Sequence, residues 1–357
     1  MKAKAMVVVE PNRMEMREFE VVPPAADQIL IKTKVTSVCS TDIKLWHGKV
    51  GLARYPLIMG HEFVGEVMEI GPEAAKVYDV KLGDLVTPEP YVPCGHCSWC
   101  RTDHHYHNCP GVNLYGLNMD CTQPPHLLGG YAEYVYLVKG TLLYKLAPGV
   151  SPLAGSLSSV VGNGVRWVKT LGQMSFGQNL VISGVGSQGL SALAAAKEAG
   201  VGPVIMLGLS SDTARFDLAR QIGADYEIRV DQEDPLARAP EILGGQPDVV
   251  IETSGVPVAI KTAFQMVRKS GRVVLIGMSG GKETNIAFDD LIWRDITVVT
   301  GKGQAGNVGD AMRLINGGKY PLDKINNRHY KLEDLVTAIE HTEHPPEGFI
   351  KAAVVFD

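Results

Sequence analysis

The pattern of apolar and polar positions changes near residue 155. Before that point, segments such as 29–35, 63–70 and 131–138 either alternate apolar with polar residues or are rich in β-branched side chains. Both features are typical of strands, and glycines and prolines separate the segments. The first part of the chain is therefore predicted to be rich in strands and loops.

Beyond residue 155, short apolar segments alternate with longer segments of helical periodicity. Short apolar strands that alternate with helices favour a parallel sheet covered on both faces. The fold class predicted for the chain is therefore α/β. The predicted strands are 180–183, 204–207, 248–252, 272–276 and 352–356, and the predicted helices are 157–170, 189–199, 213–222, 259–267, 308–316 and 332–341.

A glycine-rich turn with the spacing GxGxxG joins the first of these strands to an alanine-rich helix. Gly184 permits the tight turn, Gly186 lets the backbone approach a pyrophosphate, and Gly189 lets the helix and the strand pack closely. Because the helix N-terminus then faces the phosphates, the motif predicts a dinucleotide site. The alternative interpretation is a glycine-rich turn in an ordinary α/β domain.

The choice between NAD(H) and NADP(H) stays open. The second strand ends at Gly208, where an NAD site usually carries an acidic residue for the adenosine ribose. No carboxylate follows before Asp212, which removes a barrier to NADP, but the nearest cation is Arg215, seven residues on. Ser210 and Gly277 are further candidates for cofactor binding.

The composition limits the possible functions. The chain has 357 residues, of which 45% are hydrophobic and 20% charged, as expected of a folded protein with two or three domains. The formal net charge is −5 and no basic run is present, so nucleic-acid binding is disfavoured. No apolar segment approaches the ~20 residues that span a bilayer, and no targeting signal is recognised. A cytoplasmic protein without a membrane partner is therefore expected.

Four of the six cysteines crowd into sixteen residues, within the segment 91–110. Their gaps of two, two and eight residues let one loop fold round a single ion. Four thiolates suit a closed tetrahedral site, so a structural zinc is predicted, with a disulfide pair or an iron–sulfur cluster as alternatives. The four are Cys94, Cys97, Cys100 and Cys109. The nearby histidines, interpreted as surface residues, are His96, His104, His105 and His107.

Two short motifs stand upstream of this segment. One is Cys39-Ser-Thr41-Asp42 and the other is Gly60-His61-Glu62. Together with the four cysteines and the glycine-rich turn, they make the chain resemble the medium-chain, zinc-dependent alcohol and polyol dehydrogenase family. The likeness runs along the whole chain and includes Gly83-Asp84, Gly130-Tyr-Ala-Glu133-Tyr and Glu252-Thr-Ser-Gly255.

The resemblance implies two domains. Residues 1–155 and 300–357 would form a GroES-like, strand-rich catalytic domain that carries the structural zinc lobe, 91–110. Residues 156–299 would form a Rossmann domain with a doubly wound parallel sheet that binds NAD(P). The resemblance also implies a homodimer or homotetramer that acts on a small-molecule alcohol or carbonyl substrate.

The resemblance further assigns the upstream motifs to a catalytic zinc. Cys39 and His61 look like ligands, and Glu62 looks like a ligand or an exchangeable neighbour of the ligands. Thr41 looks like the hydroxyl that passes the alcohol proton outward, and Asp42 looks like the partner that orients His61. The zinc would polarise the substrate oxygen while the nicotinamide takes or gives the hydride.

The chain departs from the family pattern in three places. Ser159 stands where the third catalytic ligand usually lies, and Lys44 stands where many members have histidine. The last gap of the zinc lobe is eight residues long rather than the usual seven. Zinc held by Cys39, His61 and Glu62 with one water would still be four-coordinate.

The expected function is NAD(P)-dependent, zinc-assisted interconversion of a small, secondary or cyclic alcohol and its ketone or aldehyde. One structural and one catalytic zinc are expected. The first alternative is a zinc-independent reductase of the same fold that acts on an activated double bond. The second alternative is a non-catalytic NAD(P)-binding protein.

Overall fold

The computed structural model describes residues 1–102 and 105–357, so His104 lies outside the described residues. The chain forms two compact units. The first contains residues 1–159, 315–318 and 322–357, and the second contains residues 160–314 and 319–321. The boundary expected after residue 155 thus lies a few residues before the observed one. Residues 300–314, expected in the first domain, belong to the second unit.

Contacts within the second unit explain the placement of residues 300–314. The buried Arg166 guanidinium donates hydrogen bonds to the carbonyl oxygens of Lys302 and Gly303, the latter at 2.8 Å. Gly162 lies so close to Gln304 that a Cβ at position 162 would stand 2.8 Å from the Gln304 Cβ. These contacts join residues far apart in sequence, and no local pattern predicts them.

Strands and helices are numbered here in chain order, over the described residues. The strands are β1 (Lys2–Glu10), β2 (Arg13–Glu20), β3 (Ile29–Ser37), β4 (Leu57–Ile58), β5 (Phe63–Ile70), β6 (Leu85–Pro88), β7 (Tyr91–Val92), β8 (Asn113–Leu114), β9 (Tyr134–Leu137), β10 (Leu143–Lys145), β11 (Leu180–Ser183), β12 (Val204–Gly208), β13 (Tyr226–Arg229), β14 (Val249–Glu252), β15 (Arg272–Leu275), β16 (Thr297–Thr300), β17 (Arg328–Tyr330) and β18 (Ala352–Val355).

The α-helices are α1 (Ser40–Trp46), α2 (Ala74–Val77), α3 (Ser98–Arg101), α4 (Pro152–Gly155), α5 (Ser158–Val165), α6 (Ser187–Glu198), α7 (Thr213–Ile222), α8 (Pro235–Leu243), α9 (Pro257–Met266), α10 (Phe288–Trp293), α11 (Val308–Asn316) and α12 (Leu335–Glu343). Short 3₁₀ turns occupy Tyr106–Asn108, Leu322–Ile325 and Leu332–Asp334, and a π-helical segment occupies Arg166–Leu171. Among the described helices, none has both the length and the apolar character needed to cross a bilayer.

The first unit is built mainly from antiparallel strands. β3 lies inside a seven-stranded sheet of order β10-β6-β5-β3-β18-β17, in which β9 also pairs with β3. Most of the side chains of β3 are buried, as expected of an inner strand with neighbours on both sides. β3 and β5 confirm the predicted strands 29–35 and 63–70, whereas β9 covers only part of 131–138.

The second unit contains a six-stranded parallel sheet of order β13-β12-β11-β14-β15-β16. The chain builds one half of the sheet outward from β11 and then returns to build the other half from β14, which is the doubly wound arrangement. The apolar strands and the buried alanine face of α6 follow from cover on both faces of the sheet. This unit confirms the predicted α/β class.

The predicted elements of the second unit agree unevenly with the structure. α7 and α11 coincide with the predicted helices 213–222 and 308–316. The predicted helix 157–170 is instead α5 followed by the π-helical segment, and β13 and α8 were not predicted. β13 carries polar side chains because it is an edge strand, so it lacks the continuous apolar run of the inner strands.

Candidate functional site

The glycine-rich turn after β11 has the geometry that its sequence predicts. Gly184 has a φ of +110°, which a residue with a side chain rarely adopts. A Cβ on Gly189 would stand 1.9 Å from the Gly184 carbonyl oxygen, so only glycine allows α6 to pack here. Gly186 is the N-cap of α6, and nothing in the described residues lies within 4 Å of its Cβ position. The backbone at Gly186 is therefore open to a ligand.

A cavity of about 590 Å³ lies at this turn. Because β11 and β12 are parallel, their carboxyl ends meet at one edge of the sheet, and ligands of such sheets bind there. Gly184, Gly186, Gly208 and Arg215 line the cavity, together with Asp212. The turn and the loop that follows β12 thus form part of the cavity wall, and residues that follow β14, such as Thr253 and Val256, form another part.

Three predicted cofactor residues are not part of the lining of this cavity. Gly189 lies within α6, where it contacts Gly184. The Ser210 backbone N–H donates to Asp231 at 2.8 Å. A Cβ on Gly277 would stand 2.1 Å from the Gly255 nitrogen, so close backbone packing explains this glycine. Their roles in cofactor binding stay predictions.

The four cysteines of the zinc lobe come together as one group, in which all four Sγ atoms lie within 4.8 Å of one another. The Cys94 and Cys97 Sγ atoms are 3.7 and 3.5 Å from the Cys100 Sγ. A disulfide would need ~2.05 Å, whereas four sulfurs at ~2.3 Å from one zinc stand roughly 3.8 Å apart. All six cysteines are free, so the thiols fit zinc and not a disulfide pair.

The thiols of this lobe also show why a cation suits it. Backbone N–H groups of His96 and Cys97 donate toward Cys94 and lower its pKa to about 6, whereas burial raises the pKa of Cys100 to about 12. Cys109, which is 3% exposed, comes from a different turn of the loop. A divalent metal binds cysteine as the thiolate, so binding of an ion by this lobe would release protons.

The surface interpretation of the lobe histidines is correct for two of them. His96 and His105 are exposed, but His107 is buried. His107 belongs to the 3₁₀ turn that precedes Cys109, and its ring stacks with the His105 ring at 6.1 Å between centroids. The prediction for His107 was therefore wrong.

The second candidate metal site forms where three neighbouring strands meet. β3 runs antiparallel to β5 and to β18, so the carboxyl end of β3 lies beside the amino ends of both. Cys39 follows β3, and His61 and Glu62 precede β5. Their ligand atoms all lie within 4.8 Å of one another. The sheet thus brings the two upstream motifs into one cluster, the Cys39–His61–Glu62 cluster.

The Asp42 carboxylate contacts two residues of this cluster, Cys39 and His61. Its carboxylate is fully buried at the start of α1, where Oδ2 accepts hydrogen bonds from the Cys39 N–H at 2.8 Å and from the Tyr131 hydroxyl at 2.9 Å. Oδ1 lies 3.4 Å from His61 Nδ1. Burial alone would lower the pKa of His61, but the Asp42 carboxylate and the Cys39 thiol outweigh it and raise the pKa well above its usual value.

Lys351 is a charged neighbour of the cluster that the sequence pattern does not indicate. It precedes β18, is 5% exposed, and places Nζ 2.9 Å from Glu62 Oε2 and 2.7 Å from the Val38 carbonyl oxygen. Burial would lower its pKa, but the Glu62 carboxylate and the Cys39 thiol outweigh burial and raise it. Lys351 therefore keeps its proton and balances the charge of Glu62.

Tyr131 was also missed as a site residue, although its motif had been recognised. Sequence offers one weak signal for it, a tyrosine that directly follows two glycines. For Lys351 the only signal is a lysine directly before an apolar strand, and lysine is too common at such positions to indicate a site. Both residues become recognisable only when the sheet places them against Asp42 and Glu62.

Two predicted residues of the candidate catalytic site are left, Thr41 and Ser159. The Thr41 hydroxyl oxygen lies 3.7 Å from the Cys39 Sγ, and its side chain is partly exposed. Ser159 is buried as the second residue of α5, next to Ser158, whose hydroxyl lies 2.9 Å from that of Thr87. A catalytic role for Thr41 and a ligand position for Ser159 stay predictions.

The donor set of the Cys39–His61–Glu62 cluster fits zinc. Thiolate, imidazole and carboxylate are the groups that bind zinc in proteins. Asp42 approaches His61 at Nδ1 and Lys351 pairs with Glu62 Oε2, so a cation at the cluster would bind the Cys39 thiol, the other ring nitrogen of His61 and the other carboxylate oxygen of Glu62. The cluster can thus hold one metal ion, and the four cysteines of the zinc lobe can hold another.

Comparison with known proteins places both units in recognised families. The family model described as "Alcohol dehydrogenase GroES-like domain" matches residues 25–148, and the model described as "Zinc-binding dehydrogenase" matches residues 188–315. These matches confirm the predicted GroES-like and Rossmann architecture. They also agree with the strand-rich first unit and with the doubly wound second unit.

Similar proteins cover almost the whole chain. The protein named "Probable alcohol dehydrogenase adh" of Mycobacterium tuberculosis is 32% identical over 338 residues, which cover 92% of this chain and 91% of that protein. The L-threonine 3-dehydrogenase of Pyrococcus horikoshii is 35% identical over 324 residues, which cover 89% of this chain and 88% of that protein.

A solved structure gives the same assignment. It is described as a zinc-binding dehydrogenase of Sinorhizobium meliloti bound to NADP, and it superposes with a TM-score of 0.88 at 25% identity over 100% of both chains. The chain is an oxidoreductase in its family assignment, and its relatives are alcohol, polyol and threonine dehydrogenases. The chain therefore belongs to the zinc-type alcohol dehydrogenase family of the medium-chain dehydrogenases/reductases.

Proposed function

We propose that this protein is an NAD(P)-dependent alcohol dehydrogenase that interconverts a small, secondary or cyclic alcohol and its ketone or aldehyde. The observation that carries the proposal is the cluster in which Cys39, His61 and Glu62 offer a thiol, an imidazole and a carboxylate within 4.8 Å. The cavity of about 590 Å³ at the glycine-rich turn supports a dinucleotide cofactor. One structural and one catalytic zinc complete the proposal.

When bound, zinc supplies Lewis-acid stabilisation of negative charge on the substrate oxygen, and the nicotinamide supplies or accepts the hydride. The chain's own residues hold and orient these groups. Asp42 fixes the position of His61, since its two oxygens engage the Cys39 N–H and approach His61 Nδ1. Lys351 holds Glu62 in place and keeps the buried charge of the site balanced.

Proton transfer falls to Thr41 in this proposal. Its hydroxyl lies 3.7 Å from the Cys39 Sγ, and its side chain is partly exposed, so it contacts both the cluster and solvent. A hydroxyl can accept one proton and donate another, which suits a group that carries the alcohol proton outward.

The proposed substrate class follows from the relatives. L-threonine 3-dehydrogenase and erythritol/L-threitol dehydrogenase are named for small polar alcohols, and both are similar to this chain, at 35% and 28% identity. The substrates in these two names are small molecules that carry a secondary alcohol. The proposed substrate belongs to the same class and is small enough to reach the buried cluster.

A zinc-independent reductase of the same fold is the second candidate, because Lys351 already neutralises Glu62. A carboxylate that is paired with an ammonium does not require a metal for charge balance. In that case only the zinc lobe would hold an ion, and the substrate would be an activated double bond.

Assembly as a homo-oligomer is also part of the proposal. β16 is the last strand of its sheet in the described part of the chain, and its edge carries backbone groups that can pair with another strand. α10, directly before it, exposes Trp293 to 86% and Ile292 to 74%. Large apolar side chains beside an open sheet edge favour contact with a second copy of the chain. Light scattering should show a dimer or tetramer, and a monomer would contradict this part of the proposal.

The test of the function combines metal analysis with an activity assay. We expect two zinc ions per chain, and absorbance changes at 340 nm with NAD or NADP and at least one member of a panel of secondary and cyclic alcohols. His61→Ala should lower kcat/KM by more than about a hundredfold, because the cluster loses a metal ligand. His344→Ala, at an exposed histidine, is the matched control.

Each outcome separates the candidates. One zinc per chain with reduction of an activated double bond would favour the zinc-independent reductase. Activity of His61→Ala equal to that of the parent protein would contradict a catalytic zinc. Dinucleotide binding without turnover of any alcohol or carbonyl compound would leave a non-catalytic binding protein.

A further inference from the structure

Gly208 and Asp212 are packed against each other at the end of β12. A Cβ on Gly208 would stand 3.1 Å from Asp212 Oδ2, and 2.5 Å from a methyl group of Val185. The position therefore has no room for an acidic side chain of its own. The carboxylate of Asp212 fills the space that such a side chain would occupy.

Backbone and side-chain contacts hold Asp212 in this position. Asp212 is the N-cap of α7, and its Oδ2 accepts a hydrogen bond from the Leu209 N–H at 2.9 Å. The side chain is 17% exposed and lines the dinucleotide cavity. A carboxylate that is fixed by a backbone donor and open to a cavity is suited to accept hydrogen bonds from a ligand.

Arg215, the nearest cation in sequence, is engaged by the same carboxylate. Its guanidinium lies 2.7 Å from Asp212 Oδ1, and its side chain is 25% exposed. Arg215 therefore offers a charge that Asp212 already balances. An incoming phosphate would have to compete with Asp212 for this guanidinium.

A second carboxylate lies at the outer side of the same loop. The Ser210 backbone N–H donates to Asp231 at 2.8 Å, and the Ser210 hydroxyl donates to the other oxygen of the same carboxylate. The loop after β12 is thus flanked by the carboxylates of Asp212 and Asp231, by the Arg215 guanidinium, and by Arg229, which acts on Asp231.

We propose that Asp212 is the residue that selects the cofactor, and that this protein uses NAD(H) in preference to NADP(H). The inference rests on the proposed dinucleotide-dependent function. The adenosine ribose of a dinucleotide is expected at the end of the second strand of such a sheet. There the Asp212 carboxylate accepts hydrogen bonds from the ribose hydroxyls, in the place of the acidic residue that Gly208 lacks.

The negative charge of Asp212 explains why NAD(H) should be preferred to NADP(H). A ribose 2′-hydroxyl donates a hydrogen bond to a carboxylate, whereas a 2′-phosphate carries negative charge and only accepts. Placed beside Asp212, the phosphate meets like charge, and the Arg215 guanidinium that could offset it is already paired with the same carboxylate. Like-charge contacts of this kind disfavour the wrong partner strongly.

The test measures binding and does not depend on turnover. NADH and NADPH are titrated into the full-length protein, and the change in nicotinamide fluorescence gives each Kd. We expect the Kd for NADH to be at least about tenfold below that for NADPH. In Asp212→Asn the amide oxygen still accepts from Leu209, but the charge is lost and Arg215 is released. The preference should then fall by about tenfold, or reverse.

The chain offers a closely matched control. Asp217, on the same helix, pairs with Arg220 at the same three-residue spacing as Asp212 with Arg215, but it is exposed and outside the cavity lining. Asp217→Asn makes the same change of charge and should leave both Kd values unchanged. Asp212→Glu keeps the charge and should retain a preference for NADH.

The outcomes are distinct. Parent protein that binds NADPH as tightly as NADH, or more tightly, overturns the inference and leaves the proposed function standing. An unchanged preference in a folded Asp212→Asn, checked by thermal melting, also overturns it. Failure to bind either dinucleotide overturns both the inference and the proposed function.

Discussion

Lys351 and Glu62 form an ion pair of 2.9 Å between side chains that are 6% and 3% exposed. The two residues stand at the amino ends of β18 and β5, on either side of β3. The pair therefore links the last strand of the chain to the Cys39–His61–Glu62 cluster. It fixes one oxygen of Glu62 and leaves the other for a cation.

Loss of this ammonium should be costly to stability. Lys351→Met leaves the Glu62 carboxylate buried without its partner, and such changes cost about 3–5 kcal/mol. Urea unfolding of the metal-depleted protein measures the loss. The double variant Glu62→Gln/Lys351→Met should recover much of it, because no unpaired charge remains.

A more exposed pair in the same sheet provides the comparison. Lys34 and Glu66 lie 3.0 Å apart, with side chains 27% and 35% exposed. Lys34→Met should cost less than about 1 kcal/mol, since solvent screens the charge that is left. Equal losses at Lys34 and Lys351 would show that burial does not control the strength of the pair.

Tyr131 should act on the metal through Asp42. Tyr131→Phe removes the hydroxyl that donates to Asp42 at 2.9 Å and frees the carboxylate to move away from His61. Residues that orient a metal ligand in this way change metal affinity by about 10–100-fold. Competition with a chelator should show a weakening in this range for the catalytic zinc. Tyr136→Phe, which breaks a hydrogen bond to the Val22 carbonyl, should leave metal affinity unchanged.

The zinc lobe should lose its ion when one thiol is removed. Cys109→Ser leaves three thiols, so the zinc content measured by mass spectrometry should fall by one ion per chain, with a lower melting temperature. Cys121→Ser is the matched control, because Cys121 is also a buried thiol but donates to the Pro56 carbonyl at 3.3 Å. Unchanged zinc content in Cys109→Ser would contradict a four-cysteine site.

Glu89 should make stability depend on pH. Its carboxyl group is fully buried, and burial raises its pKa from 4.5 to about 7, although hydrogen bonds from Tyr106 and Tyr144 act in the opposite direction. The folded state then holds a proton that the unfolded state has released. The stabilisation is complete below pH 4.5 and is lost as the pH rises to about 7, with a total loss of about 3 kcal/mol.

Glu89→Gln removes this titration. The difference in unfolding free energy between variant and parent should grow in favour of the variant from pH 5 to pH 7.5, at constant zinc concentration. Glu18→Gln, at a glutamate that is 53% exposed, should show no such trend. A constant difference for Glu89→Gln over this range would show that Glu89 does not titrate there.

Local patterns predicted those parts of the second unit that depend on contacts within one segment. The spacing of Gly184, Gly186 and Gly189 depends on contacts within one strand–turn–helix segment, so the sequence carries the full requirement. α7 and α11 agree with prediction for the same reason, since helical periodicity is a local property. The four cysteines of the zinc lobe also lie within one loop, and their spacing along the sequence was enough to predict that their thiols come together.

The sequence by itself determined the classes of chemistry in this protein: a dinucleotide turn, a thiol-rich lobe and two motifs with metal-binding side chains. Only the tertiary structure decided which side chains complete each site. Lys351 meets Glu62 because β18 and β5 flank β3, and Asp212 stands beside Gly208 because the loop after β12 folds back on itself. Contacts across a sheet or a folded loop depend on pairing between distant or irregular segments, and no pattern along the chain records that pairing.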